Sequence, residues 1–248
     1  MECMLRAGIF KTLIECTKDL VTSANFIFDG DGMRMQAMDT AHVSLISLAL
    51  QPSAFSSFHC AEQSSLGIHF EALSMVLKTC AADDQITLAW EHGGDRVTIS
   101  RGSDRQFELK LLEVDDGITS IPEQSYEVSA TVPSLEFLKI CRELKDIGGD
   151  TITVRVDHPD RITFNVAGDL GRGTAVMKEG VSIGGACETA TSSYSLRYLA
   201  MFTKGATLCP TVQVSMGRET PLRLIYFVDA ELPEHGKLYF FLAPRICD

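Results

Sequence analysis

The chain has 248 residues with 33 acidic and 22 basic side chains, a formal charge of -11, 45% hydrophobic and 22% charged residues. This composition excludes a disordered chain, and the length exceeds the usual single domain. No segment approaches the roughly 18 to 20 consecutive apolar residues of a membrane span, and Glu2, Arg6 and Lys11 interrupt the opening stretch where a signal peptide would need an apolar run, so a soluble, intracellular protein is expected.

The first amphipathic segment runs from Phe10 to Val21. Phe10, Leu13, Ile14, Thr17, Leu20 and Val21 form a stripe at helical spacing, and Lys11, Glu15 and Lys18 share the opposite face. After a turn signal at Asp29-Gly30-Asp31-Gly32, a second helical pattern buries Phe70, Leu73, Val76, Leu77 and Cys80 and presents Glu71, Met75 and Lys78. Alternating strand patterns follow at Ile86 to Trp90 and Arg96 to Ile99, separated by His92-Gly93-Gly94-Asp95. The stretch Leu112 to Tyr126 is acidic, contains a Gly and a Pro, and keeps no period, as an exposed linker does.

A third helical pattern buries Phe137, Ile140, Cys141 and Leu144 and presents Lys139 and Arg142. Beyond the turn signal His158-Pro159-Asp160, a fourth buries Leu196, Leu199 and Phe202 and presents Arg197, Met201 and Lys204. Strand patterns close the chain at Thr211 to Ser215 and Leu222 to Ile225, around the turn Gly217 to Pro221.

The segments repeat. Phe10 to Leu20 reads FKTLIECTKDL and Phe137 to Ile147 reads FLKICRELKDI, and Phe70 to Lys78 matches Leu196 to Lys204 at nearly the same offset. Each helix is followed by strands of the same alternating kind. The expected fold is therefore α+β: two similar domains, 1–111 and 127–248, each with two helices packed on antiparallel sheets, joined by a connector at 112–126.

Every helix offers at least one cation to solvent, and the fourth is purely basic, whereas the linker and several turns are acidic. Lys and Arg are also the ordinary residues of a solvated face. If the helices share one surface, phosphate could be met there without base readout. The remaining motifs point away from catalysis. Gly168 to Gly173 lacks the Gly-Lys-Ser/Thr of a phosphate loop, and Asp29-Gly-Asp31-Gly32 lacks the bidentate Glu of a calcium loop. The six histidines lack triad or ligand spacing, and the eight cysteines form no C-x-x-C, so buried free thiols are expected, with no metal, cofactor or catalytic residue.

Met38 to Leu45, Ile121 to Gln124 with Tyr126, Ile140 to Leu144, Leu196 to Leu199 with Phe202 to Lys204, and Leu242 to Ile246 together resemble the eukaryotic proliferating cell nuclear antigen family along the whole chain. The resemblance implies the DNA clamp fold, a head-to-tail ring of three subunits with helices lining the hole, and a homotrimeric nuclear processivity factor for DNA polymerase that acts in replication and repair. Lys11, Lys18, Lys78, Lys139, Arg142, Arg197 and Lys204 would meet the phosphates of duplex DNA without regard to sequence. DNA polymerase, the clamp loader, a nuclease and a ligase would dock short peptide motifs on Met38, His42, Val43, Leu45, Ile121, Pro122, Tyr126, Pro221, Leu242, Ala243 and Pro244. Phe107 and Leu109 on one sheet edge, and Gly173 and Ala175 on another, would join neighbouring subunits.

The chain departs from the family at the connector, where Thr119, with Ile118 beside it, stands at the position of a usual Leu, and at Pro159, where the family's ubiquitin-acceptor lysine falls. Two other readings share this architecture or this surface: a subunit of a heterotrimeric checkpoint clamp, and a peptide-binding scaffold without DNA. A nuclease would need a carboxylate cluster that the sequence does not signal.

Overall fold

The computed structural model describes residues 1–115, 124–169, 171–185, 187–217 and 219–245. The chain divides into two compact units that are not contiguous in sequence. The first comprises Met1–Thr40, Ile46–Thr119 and Phe227–Leu238; the second comprises Ala41–Leu45, Ser120–Tyr226 and Tyr239–Asp248.

The first copy of the repeat runs β1 (Glu2–Arg6), α1 (Ala7–Thr17), β2 (Ser23–Asp29), β3 (Gly32–Met38), β4 (Ser44–Leu50), β5 (Ser57–His59), β6 (Ser64–His69), α2 (Phe70–Lys78), β7 (Gln85–Trp90), β8 (Arg96–Arg101) and β9 (Arg105–Lys110). The second repeats it element for element: β10 (Val128–Pro133), α3 (Ser134–Lys145), β11 (Thr151–Asp157), β12 (Arg161–Gly168), β13 (Gly171–Met177), β14 (Ser182–Gly185), β15 (Thr189–Ser195), α4 (Leu196–Phe202), β16 (Thr211–Met216), β17 (Leu222–Phe227) and β18 (Gly236–Leu242). Strand order repeats too. The order β5-β1-β7-β8-β9 is matched by β14-β10-β16-β17-β18, and β4-β3-β2-β6 by β13-β12-β11-β15. The registered neighbours are antiparallel, as the short connections require.

All four helices begin directly at a strand end, with no side-chain cap. Distant carbonyls satisfy the first orphan donor of each instead. Ala7 N–H donates to Asp84 at 2.8 Å and Ser134 N–H to Pro210 at 2.8 Å, while Phe70 N–H donates to Thr22 at 2.9 Å and Leu196 N–H to Asp150 at 3.0 Å. The two pairs are equivalent places in the repeat, so the same tertiary contact starts each helix twice. At Gly8, where a second amide of α1 donates to Ala82 at 3.0 Å, a Cβ would come within 2.7 Å of the Ala82 oxygen.

The apolar stripes predicted from periodicity face the sheets. In the first unit Phe10, Phe26 and Phe70 form a ring cluster with centroids 6.0 and 5.8 Å apart, and Phe28 packs on Trp90 at 4.5 Å. In the second, Phe137 meets Phe164 at 5.7 Å and Phe202 stacks on Phe240 at 4.7 Å. Leu20, Val21 and Cys80 are buried, but each lies past the end of its helix. Cys3, Cys16, Cys80, Cys141 and Cys209 are buried free thiols as expected; Cys60 and Cys187 are free but only half-buried, and Cys247 lies outside the described residues. Among the described residues, no helix is long and apolar enough to cross a membrane.

Candidate nucleic-acid and partner-peptide sites

In the first unit α1 packs against α2; Lys11 lies on α1 and Lys78 on α2, while Lys18, expected on the first helix, falls just past its end as the C-terminal cap. Lys18 and Lys78 line one groove together with Asp19, Glu71, Ser74 and Met75, and Met75 is 58% exposed. Glu15 sits among the cations. Its carboxylate accepts the Ser74 hydroxyl at 2.7 Å, bridging the two helices, and pairs with the Lys18 ammonium at 2.6 Å. Burial pulls the Glu15 carboxyl upward, but the hydrogen bonds from Lys18 and Ser74 and the charges of Lys18 and Lys78 outweigh it and hold the group below its ordinary value. The first unit therefore spends one carboxylate on its own cations.

In the second unit α3 packs on α4 and the turn behind it. Lys139, Arg142 and Arg197 are exposed on these helices. Lys139 lies 4.0 Å from Glu143, an exposed pair one helical turn away that contributes little. Lys204 differs from the sequence expectation in its setting. The α-helix ends at Phe202 and tightens into a 3₁₀ turn, Thr203–Thr207, that carries Lys204. At Gly205 a Cβ would lie 2.5 Å from the Tyr226 ring, so the turn packs against that ring only because this residue has no side chain.

Most of the residues assigned to peptide docking fall in the second unit. Val43 and Ala243 are joined by a 2.9 Å bond from the Ala243 amide to the Val43 carbonyl. The next residues are pinned as well: Arg245 N–H donates to Ser193 O at 2.7 Å and its guanidinium to Thr151 Oγ1 at 2.6 Å. Val43, Leu45, Tyr126, Pro221, Ala243 and Pro244 are half-buried, leaving part of each apolar side chain at the surface. His42 is exposed and holds a positive φ of 55°. Leu242, by contrast, has no exposed surface and belongs to the core beneath these residues. Met38, 43% exposed, lies in the first unit, and Ile118, Thr119, Ile121 and Pro122 lie outside the described residues.

Sequence reasoning missed Arg223. Its guanidinium lies 4.3 Å from the centre of the Tyr126 ring and donates to Ser215 Oγ at 3.2 Å. Burial raises the Tyr126 phenol, and the Arg223 charge opposes that rise. The signal was present in the alternation Leu222-Arg223-Leu224, which turns the arginine away from the core.

Phe107 and Leu109 are half-buried on β9, and Gly173 and Ala175 half-buried on β13; both strands end their sheets. Pro159 is exposed in the turn between β11 and β12. Among the described residues, no group of three or more His, Cys, Asp or Glu side chains could hold a metal.

The family model described as proliferating cell nuclear antigen, N-terminal domain, matches residues 1–118, and the model of the C-terminal domain matches residues 120–245. Among solved structures, the crystal structure of proliferating cellular nuclear antigen from Entamoeba histolytica matches with a TM-score of 0.91 at 28% identity, covering 99% of this chain and 98% of that one.

Proposed function

The chain belongs to the proliferating cell nuclear antigen family and is a DNA sliding clamp, a polymerase processivity factor and docking platform, and we propose that it works as a homotrimer closed head to tail around duplex DNA in the nucleus. The family is non-catalytic, and on this reading the chain performs no chemistry of its own. The observation that carries the head-to-tail joint is the repeat itself. Each copy has a strand at the end of the five-strand order and another at the end of the four-strand order. β18 and β4 are joined inside the chain, at Ala243 and Val43 in the second unit and at His235 and Gln51 in the first. Their counterparts β9 and β13 end their sheets, and a second copy offers each the partner it lacks.

On this reading Lys11, Lys18, Lys78, Lys139, Arg142, Arg197 and Lys204 meet phosphates loosely, which suits a protein that slides. Val43, Leu45, Tyr126, Pro221, Ala243 and Pro244, with Met38, His42, Ile121 and Pro122, receive short motifs with aromatic and aliphatic anchors from DNA polymerase, the clamp loader, a nuclease and a ligase. The first test is light scattering over a dilution series, followed by loading on circular DNA. A mass three times that of the chain, and retention that is lost when the circle is cut, are expected. A chain that stays single at every concentration overturns the homotrimer and favours a mixed ring with other chains.

A further inference from the structure

We propose that Glu108 on β9 of one copy pairs with Arg172 on β13 of the next, and that this ion pair selects the correct edge when copies join. The inference rests on the head-to-tail reading above and adds its register.

The register comes from the joint inside the chain. In the second unit Ala243 N–H donates to Val43 O at 2.9 Å; in the first, Gln51 N–H donates to His235 O at 2.9 Å, and Gly236 sits so close to β4 that a Cβ would lie 2.5 Å from the Ala49 oxygen. All three observations fit one antiparallel alignment, which sets Phe241 opposite Leu45.

That alignment transfers to the sheet ends through the repeat. In the first copy Leu5 faces Ile86, Ile86 faces Arg101 and Arg101 faces Arg105. In the second, Val132 faces Val212, Gln213 faces Ile225, and Val228 N–H donates to Gly236 O at 3.0 Å. The same steps lead from Val132 to Leu238, so Arg105 corresponds to Leu238 and Glu108 to Phe241. β4 and β13 are both 7 residues long, and their inward positions coincide: Ile46, Leu48 and Leu50 against Gly173, Ala175 and Met177. Leu45 therefore corresponds to Arg172.

Applied between copies, this register sets Glu108 opposite Arg172 and Phe107 opposite Gly173. Both pairings are complementary. A Cβ at Gly173 would lie 2.8 Å from Leu144 Cδ2, so this position has no room for a side chain of its own and leaves the space above it to a large neighbour. Glu108 is half-exposed and bonded to Arg96 at 3.0 Å; Arg172 is exposed and, among the described residues, has no ion-pair partner in its own chain. The joint would complete an Arg96–Glu108–Arg172 row. Inside the chain the same position is apolar, Leu45 with Phe241. A β9 edge thus meets a matching charge on β13, whereas the equivalent joint inside the chain, between β18 and β4, is apolar at the same position, so the charge marks the joint between copies.

The test compares the wild-type chain with Glu108→Lys, Arg172→Glu and the doubly exchanged variant by light scattering on dilution, with circular dichroism reporting the fold. Each single reversal places like charges together and should raise the concentration at which the assembly dissociates by about ten-fold or more; the double exchange should return it to within about three-fold of wild type. Because both sites are exposed, either variant suffices if the other misfolds. A wild-type assembly that single reversals leave unchanged, or that the double exchange fails to restore, overturns the pair and leaves the ring standing. A wild-type chain that never associates overturns both.

Discussion

The Arg223 guanidinium lies over the Tyr126 ring, 4.3 Å from its centre, and ties the start of β17 to the residue that leads into β10. Part of the candidate peptide site therefore rests on a contact between a cation and an aromatic face.

Replacing Arg223 by Ala should cost about 1 kcal/mol of stability in urea unfolding. The Tyr126 phenol should also titrate higher, because the Arg223 charge at present opposes the rise caused by burial. A variant with the wild-type midpoint and the wild-type phenolate titration would show the contact to be incidental.

Leu45 offers a more direct probe of docking. Leu45→Glu places a charge among half-buried apolar residues without touching the core beneath. Calorimetric titration with a motif peptide carrying aromatic anchors should show an affinity loss of about 100-fold or more, the equivalent of about 3 kcal/mol for a hot spot. Retained affinity would move the site elsewhere.

Glu15 restrains the basic surface of the first unit through Lys18. Glu15→Gln keeps an oxygen for the Ser74 hydroxyl and removes the charge, so DNA affinity at low salt should rise several-fold, about 1 kcal/mol. Its lowered titration also has a sign: the stability it supplies is present above the unfolded value and is lost as pH falls through the folded one. The variant should therefore lose part of the wild-type decline in stability on acidification.

Arg197→Ala and Lys139→Ala should each weaken DNA binding equally for unrelated sequences and reduce the slope of log affinity against log salt by about 1 per phosphate contact removed. An unchanged slope would exclude that side chain from the phosphate surface.

Alkaline stability follows from three buried groups. Burial pushes the Cys3 and Cys141 thiols from 9.0 to about 12, and the Tyr194 phenol from 10.0 to about 12. The unfolded chain releases these protons first, so their contribution is complete below about pH 9 and fades as pH rises toward about 12. Urea midpoints should fall steadily over that window, and Cys141→Val should remove part of the slope. A midpoint independent of pH there would contradict the burial of these groups.

The helices and the strands around Ile86 to Ile99 and Thr211 to Ile225 were legible because each buries one face, and burial writes its period into the residues. The repeat was legible for the same reason, since Phe10 and Phe137 occupy equivalent core positions. What starts the helices was not, because the acceptors at Asp84 and Pro210 are backbone oxygens far along the chain and leave no side-chain signal. The basic residues could be found, and Glu15 three positions before Lys18 on the same face with them; the Ser74 hydroxyl that Glu15 also accepts could not, because it depends on α2 approaching α1. Leu242 shows the converse limit: family likeness marks a region, whereas exposure decides which of its side chains a ligand can reach.

The two units exchange material: the first takes Phe227–Leu238 from late in the chain, and the second takes Ala41–Leu45 from early in it. Duplication alone would have left two separable modules. With the exchange, a cut in the connector yields two fragments that each carry off a strip belonging to the other, so neither half is a self-sufficient module.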